Sequence, residues 1–345
     1  MKQPTAILEP RGSVALDDYV IEVSWSTDSR RLAVAGGEGK VFLLSHDASA
    51  MTARPVGEHG MGAITVAWQP RGEAFVTSGQ DSRIALYDAA GNRISEQRPA
   101  MAWTTTMVWT SDGKRLATAA GKQITLWSPS LEKEHVFSPL SSTVVALGWD
   151  KPGRDLGAAI NGGLVVYRVE PPRFQIRHYK WAAPCLAVAF SPNARYLATG
   201  TQDGSVHFWH LSTGRDSQMR GYPFKVEYVS WSSDSRYLAT AADDQVVVWD
   251  FSGKGPEGSR PLQLRGHTDR IECVAFQPAG NHLVTGGRDW RVSLWLPGKS
   301  SAALDAQLTD SEPTCLRWSS DGRFIAVGER NGKLSVFELV RITGG

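Results

Sequence analysis

Metal or acid–base chemistry in this 345-residue chain would begin with its eight histidines. His207 and His210 stand three apart in HFWH, a run that reads as a strand, so they point to opposite faces and cannot share a metal ion. His46, His135, His178 and His282 fall in connectors with no partner pattern. Cys185, Cys273 and Cys315 lie inside apolar runs without CxxC spacing and read as buried free thiols, which implies a reducing, cytoplasmic setting. The adjacent acids Asp17-Asp18 and Asp243-Asp244 read as solvated turn residues. No phosphate loop, GxSxG elbow or HExxH pair occurs, and Gly36-Gly37 and Gly286-Gly287 lack the following helix that would hold a phosphate. The reactive residue types thus form no catalytic, metal or cofactor constellation, and the expectation is a non-enzyme without a cofactor.

A formal net charge of +2 offers no electrostatic footprint for nucleic acid or an anionic membrane. No secretory signal or membrane-spanning segment is expected from the apolar pattern. Hydrophobic content of 41% supports a large core, yet the length exceeds one ordinary compact domain unless the fold grows by repetition.

Repetition is what the chain shows. An apolar run ending in an aromatic, a polar turn and a second apolar run recur eight times, from VIEVSWSTDSRRLAVAG to PTCLRWSSDGRFIAVGE. The marker aromatics are Trp25, Trp68, Trp109, Trp149, Phe190, Trp231, Phe276 and Trp318, at intervals of 43, 41, 40, 41, 41, 45 and 42. Short β-branched runs bounded by turn formers are strands, and SDG or PNA between two of them suits a tight hairpin. A third run ends in another aromatic, as in QITLW, SVHFW and RVSLW. A weaker fourth strand falls in polar connectors such as FQIRHYK, RPLQLRG and NRISEQR, and suits the edge of a sheet.

On these residues the chain resembles the WD40-repeat β-propellers over its full length, as one domain spanning 1–345. The resemblance implies an all-β, eight-bladed propeller closed by an N-terminal strand, with Thr5–Pro10 pairing near LSVFELV. It also implies hydrogen-bonded tetrads that fix blades: His267, Thr285, Asp289 and Trp295 in the most complete copy, and His59, Thr77, Asp81 and Tyr87 in the second. The fifth copy has Thr199, Asp203 and Trp209, with Trp181 where the histidine belongs. Asn331 replaces the aspartate in the last copy, and Val34 and Val327 replace the hydroxyl in the first and last.

Ten of the thirteen tryptophans mark first or third strands. Trp103, Trp181 and Trp290 do not; they fall in loops that the family's geometry opens on one face, the top. The same alignment adds Tyr19, Tyr222, Lys225, Asp269, Arg270, Arg288 and Arg330 to that face, with Gln80 and Gln202 at the loop position of Arg288. Aromatic and arginine residues together suit a protein- or peptide-binding platform. The reading is a non-catalytic scaffold or adaptor whose protein partners bind the top face, alone or within a larger complex. The alternatives are an accessory subunit of a nucleotide-hydrolysing partner, and an enzyme or small-ligand binder working in the central channel. Nucleic acid is the least favoured partner.

Overall fold

The computed structural model describes residues 5–47, 50–170, 173–253 and 255–342. It holds eight antiparallel four-stranded sheets, each built from consecutive strands except the last. We number these blades 1 to 8 and name their strands inner, second, third and outer. The inner strands are Val20–Trp25, Ala63–Trp68, Thr104–Trp109, Ala146–Trp149, Ala189–Phe190, Tyr228–Trp231, Ile271–Phe276 and Pro313–Trp318. Each touches the inner strand of the next blade, and that of blade 8 touches that of blade 1, so the sheets form a closed ring.

Residue size explains the wedge shape of each blade. Second strands such as Leu116–Ala120 (LATAA) and Tyr196–Gly200 (YLATG) are buried throughout and rich in alanine, threonine and glycine. Both of their faces are covered by neighbouring blades near the narrow centre, where only small side chains fit. Third strands lie further out, and Trp127 and Trp295 fill the wider gap there with no exposed surface. The hairpin between inner and second strands places a left-handed residue at Ser29, Arg71, Gly113, Gly153, Ala194, Ser235 and Gly322. A type I turn with a following bulge requires that conformation.

The marker tryptophans do more than fill space. The indole N–H of Trp25, Trp109, Trp149, Trp231 and Trp318 donates to the backbone carbonyl of Arg317, Ala67, Val108, Ala189 and Ala275, respectively, each on the preceding blade. Phenylalanine at positions 190 and 276 lacks this donor. Gln69 and Gln277 add side-chain bonds of 2.8 and 2.7 Å to the turn carbonyls of Gly113 and Gly322 on the following blades.

Blade 8 is closed by the first strand of the chain. Ala6–Ala15 pairs antiparallel with Lys333–Arg341, with a bulge between Pro10 and Gly12. The strand is longer than the six residues expected, because its polar second half also finds partners down to Ala15↔Lys333. Ala6 and Leu8 sit in the core beside Phe337, and the Leu8 N–H donates to Asp305 of blade 7 at 2.7 Å.

Candidate interaction face

The top face is defined by one repeated bond. The loop between second and third strands donates a backbone N–H to the loop that precedes the inner strand. The pairs are Gly37 to Tyr19, Gln80 to Gly62, Gln202 to Pro184, Arg288 to Arg270 and Arg330 to Glu312. The two loop types therefore meet on one side of the disc, as the sequence reading supposed.

Beneath these loops lie the tetrads. In blade 7, His267 Nδ1 is 3.0 Å from the Asp289 carboxylate and Nε2 is 2.7 Å from the Thr285 hydroxyl. The Trp295 indole donates to the same hydroxyl oxygen at 2.9 Å. The chain has one consistent set of roles: indole N–H to Thr oxygen, Thr O–H to Nε2, and Nδ1–H to carboxylate. Asp289 also accepts the N–H groups of Thr268 and Arg291, which ties both top loops together. Blade 2 repeats this with His59, Asp81 and Thr77 at 3.1 and 2.8 Å, and Tyr87 replaces the indole. Burial pushes the His59 imidazole below its ordinary pKa despite Asp81 beside it, so the ring is neutral at physiological pH. Burial alone would raise the Asp81 carboxyl, but hydrogen bonds from His59 and Arg83 hold it below the usual range.

Three blades solve the same problem with residues the tetrad pattern does not contain. In blade 6 the Tyr222 hydroxyl lies 2.6 Å from Thr240 and accepts the Trp249 indole N–H at 2.7 Å. Tyr222 thus takes the histidine's place, a structural role that its assignment to the binding surface did not include. The signal was available: Tyr222, Trp181, His59 and His267 all lie nine residues before their marker aromatic. In blade 8 the fully buried Glu329 accepts the N–H groups of Asp310 and Ser311 and the Ser335 hydroxyl. In blade 1 Asp18 is buried, not solvated as its turn position suggested, and accepts the N–H groups of Glu38 and Lys40.

The three loop tryptophans separate. Trp103 and Trp290 are each half exposed. Trp181 is tucked further in, its ring stacked on His207 at 3.9 Å and packed against the core between blades 4 and 5. Its environment is the one expected of a residue in the histidine position of its blade. Tyr19 is 42% exposed and lies over Gly37, where an added Cβ would meet its ring. Gln202 is exposed and Gln80 is partly covered.

The cations expected on this face are all there, but each is matched by an acid. Lys225 pairs with Glu227 at 2.8 Å, Glu227 with Arg270 at 2.5 Å, Glu272 with Arg288 at 2.5 Å, and Glu312 with Arg330 at 2.8 Å. The first two pairs line a cleft of about 600 Å³ over blades 5 to 7, together with Phe224, Tyr228 and Asp243. Phe224, 58% exposed, went unremarked in the sequence, as did Met61 and Met101 at 77% and 92%. All three sit in loops that precede inner strands, a position that could have been searched for any large apolar residue rather than for tryptophan. Among the described residues, no group of three or more His, Cys, Asp or Glu is placed to hold a metal ion.

The fold and this face define an eight-bladed propeller that presents loop side chains on one side of its ring. Four repeats match the family described as WD domain, G-beta repeat, over residues 174–210, 216–250, 258–295 and 298–338. The four matched stretches are WD40 repeats, and the whole ring is an eight-bladed β-propeller of the kind such repeats build. The first match begins in the outer strand of blade 4 and ends in the third strand of blade 5, so repeat and blade are out of phase. The chain is similar to the B-type cell cycle switch protein ccs52A of Medicago truncatula, 24% identical over 85% of this chain and 62% of that one. It is likewise similar to Protein FIZZY-RELATED 2 of Arabidopsis thaliana, 24% identical over 86% of this chain and 62% of the relative. A shorter likeness, 28% identity over 35% of this chain and 39% of the other, links it to THO complex subunit 3 of Arabidopsis thaliana. The chain thus spans about three fifths of the length of the first two relatives.

Proposed function

We propose that this propeller is a non-catalytic scaffold that holds a protein or peptide partner on its top face. The observation that carries the reading is where the exposed apolar surface lies. Twelve large apolar side chains are exposed among the described residues, and seven belong to the top loops and strand mouths: Tyr19, Met61, Met101, Trp103, Val145, Phe224 and Trp290. Scattered exposure is ordinary, but concentration on one face marks an interaction site. The mutual pairing of the cations there favours a partner that buries apolar side chains over one recognised by charge. The relatives, a cell cycle switch protein and a subunit of a complex by name, fit a molecule that works through other proteins. The three free buried thiols fit a cytoplasmic location.

Trp290 gives the proposal its sharpest test. Its φ of 61° is left-handed, a conformation that blades 1, 5 and 8 give to Gly39, Gly204 and Gly332, and blade 2 to the small Ser82, at the same loop position. A bulky L-residue there costs about 1–2 kcal/mol, a strain that makes sense if the indole is needed outside the blade. Trp290→Gly should leave stability unchanged or raise it by about 1 kcal/mol. Combined with Trp103→Ala, it should remove partners that co-purify with the wild type from the native host. Trp181→Ala, by contrast, should lower the melting temperature. Partners retained in full by a stable Trp103→Ala/Trp290→Gly variant would move the interaction off this face.

A further inference from the structure

The outer strands of the blades are unequal in a way that bears on a second site. Five of them run three to five residues: Arg93–Gln97, Lys133–Val136, Asp216–Met219, Leu262–Leu264 and Asp305–Leu308. Short edges resist pairing with other chains. Two long ones are interrupted. Ala50–Glu58 contains Pro55 and a register shift, and Ala6–Ala15 contains Pro10 and a bulge. Only the outer strand of blade 4, Arg173–Lys180, is long, free of proline and regular, pairing without a shift from Glu170↔Arg173 to Gly163↔Lys180.

The free edge of this strand can be read residue by residue. The Trp181 N–H donates to the Gly162 carbonyl just beyond the ladder. Antiparallel alternation then turns the backbone groups of Tyr179, Arg177, Gln175 and Arg173 inward, and those of Ile176, His178, Phe174 and Lys180 outward. Phe174 is anchored by stacking on His135 of blade 3 at 4.0 Å, and Tyr179 is buried against Trp209 of blade 5. The strand is therefore held at both ends while Ile176 at its middle is 53% exposed. Arg173, Arg177 and Lys180 are exposed, the strand contains no acid, and among the described residues none of the three makes an ion pair. This contrasts with the top face, where every expected cation has its glutamate.

We propose that the outer edge of blade 4 is a second binding site, which takes an extended acidic peptide segment as a fifth strand. Backbone bonds to Phe174, Ile176 and His178 would supply affinity, and the three unpaired cations would select acidic side chains. A second copy of this chain is a poor occupant, because the edge would set its arginines and lysine against one another.

The test uses a short, capped, fluorescein-labelled peptide of alternating glutamate and threonine, with a lysine–threonine peptide as its counterpart. Ile176→Pro removes an outward N–H at an edge position that tolerates proline and leaves the inward ladder intact. Arg173→Glu/Arg177→Glu/Lys180→Glu reverses the charge without touching the backbone. The glutamate peptide should bind the wild type and slow amide exchange at Phe174, Ile176 and His178. Either variant should weaken it by about tenfold or more, and the lysine peptide should prefer the charge-reversed protein. Failure of the glutamate peptide to bind, or binding that leaves those amides unprotected, would overturn the proposal. So would a labelled oligothymidine that binds the strand more tightly than the glutamate peptide, or a wild-type dimer that Ile176→Pro dissolves. Neither variant alters the top loops, so the outcome is separable from that of the Trp103/Trp290 experiment.

Discussion

At the scale of single residues, the tetrad shows how much one hydroxyl can carry. Thr285 gives its proton to His267 and receives one from Trp295, all three buried. Thr285→Val keeps the shape but leaves an imidazole nitrogen and an indole N–H without partners in a place water does not reach. A loss of about 2–4 kcal/mol is expected, measured by denaturant unfolding. A change below about 0.5 kcal/mol would mean that the bonds do not hold the blade. Such residues were legible in the sequence because their types recur at fixed distances from the marker aromatic, as His59 and His267 do. Glu329 and Asp18 were not, since a buried acid there acts from the end of a strand or from the preceding loop instead of the usual turn position. Nor was the inward pose of Trp181, which depends on His207 lying beneath it.

Elements were legible for a different reason. A second strand is covered on both faces by neighbouring blades, so nearly its whole length is apolar or small, and period and composition mark it. Outer strands are half solvated, and their polar sequences announce only that something short lies there. That is why the strand at FQIRHYK could be placed but its length and open edge could not. The N-terminal strand was found through the need for closure rather than through its own composition. Removing residues 1–12 would strip blade 8 of its outer strand from Ala6 to Gly12, expose Phe337 and Leu339, and break the Leu8 bond to Asp305. A fall in melting temperature of about 5 °C or more is expected, read by circular dichroism. An unchanged melt would show that the strand closes nothing.

For the molecule as a whole, closure changes what it means to be first or last. In an open repeat array each unit contacts only its neighbours, so terminal repeats have one partner and fray. Here blade 1 meets blade 8 through their inner strands, through the indole of Trp25 bonded to the Arg317 carbonyl, and through the Thr314 hydroxyl bonded to the Val20 carbonyl. Glu22 and Arg317 add an ion pair of 2.8 Å across the same seam. The boundary between blades 8 and 1 is therefore one of eight comparable ones, not a weak end. A ring of this kind gives the loops of its top face a rigid frame, which a surface of separate loop side chains requires if it is to act as one site. Native-state hydrogen exchange distinguishes the two cases. Amides of Val23 and Leu316, beside the seam, should exchange within about one order of magnitude of Leu147 and Val108, on the far side of the ring. In the chain lacking residues 1–12 the seam amides should become the fastest of the four. Rapid exchange at Val23 and Leu316 in the intact protein would mean that the ring opens there in solution, and that the top face is assembled only when a partner holds it closed.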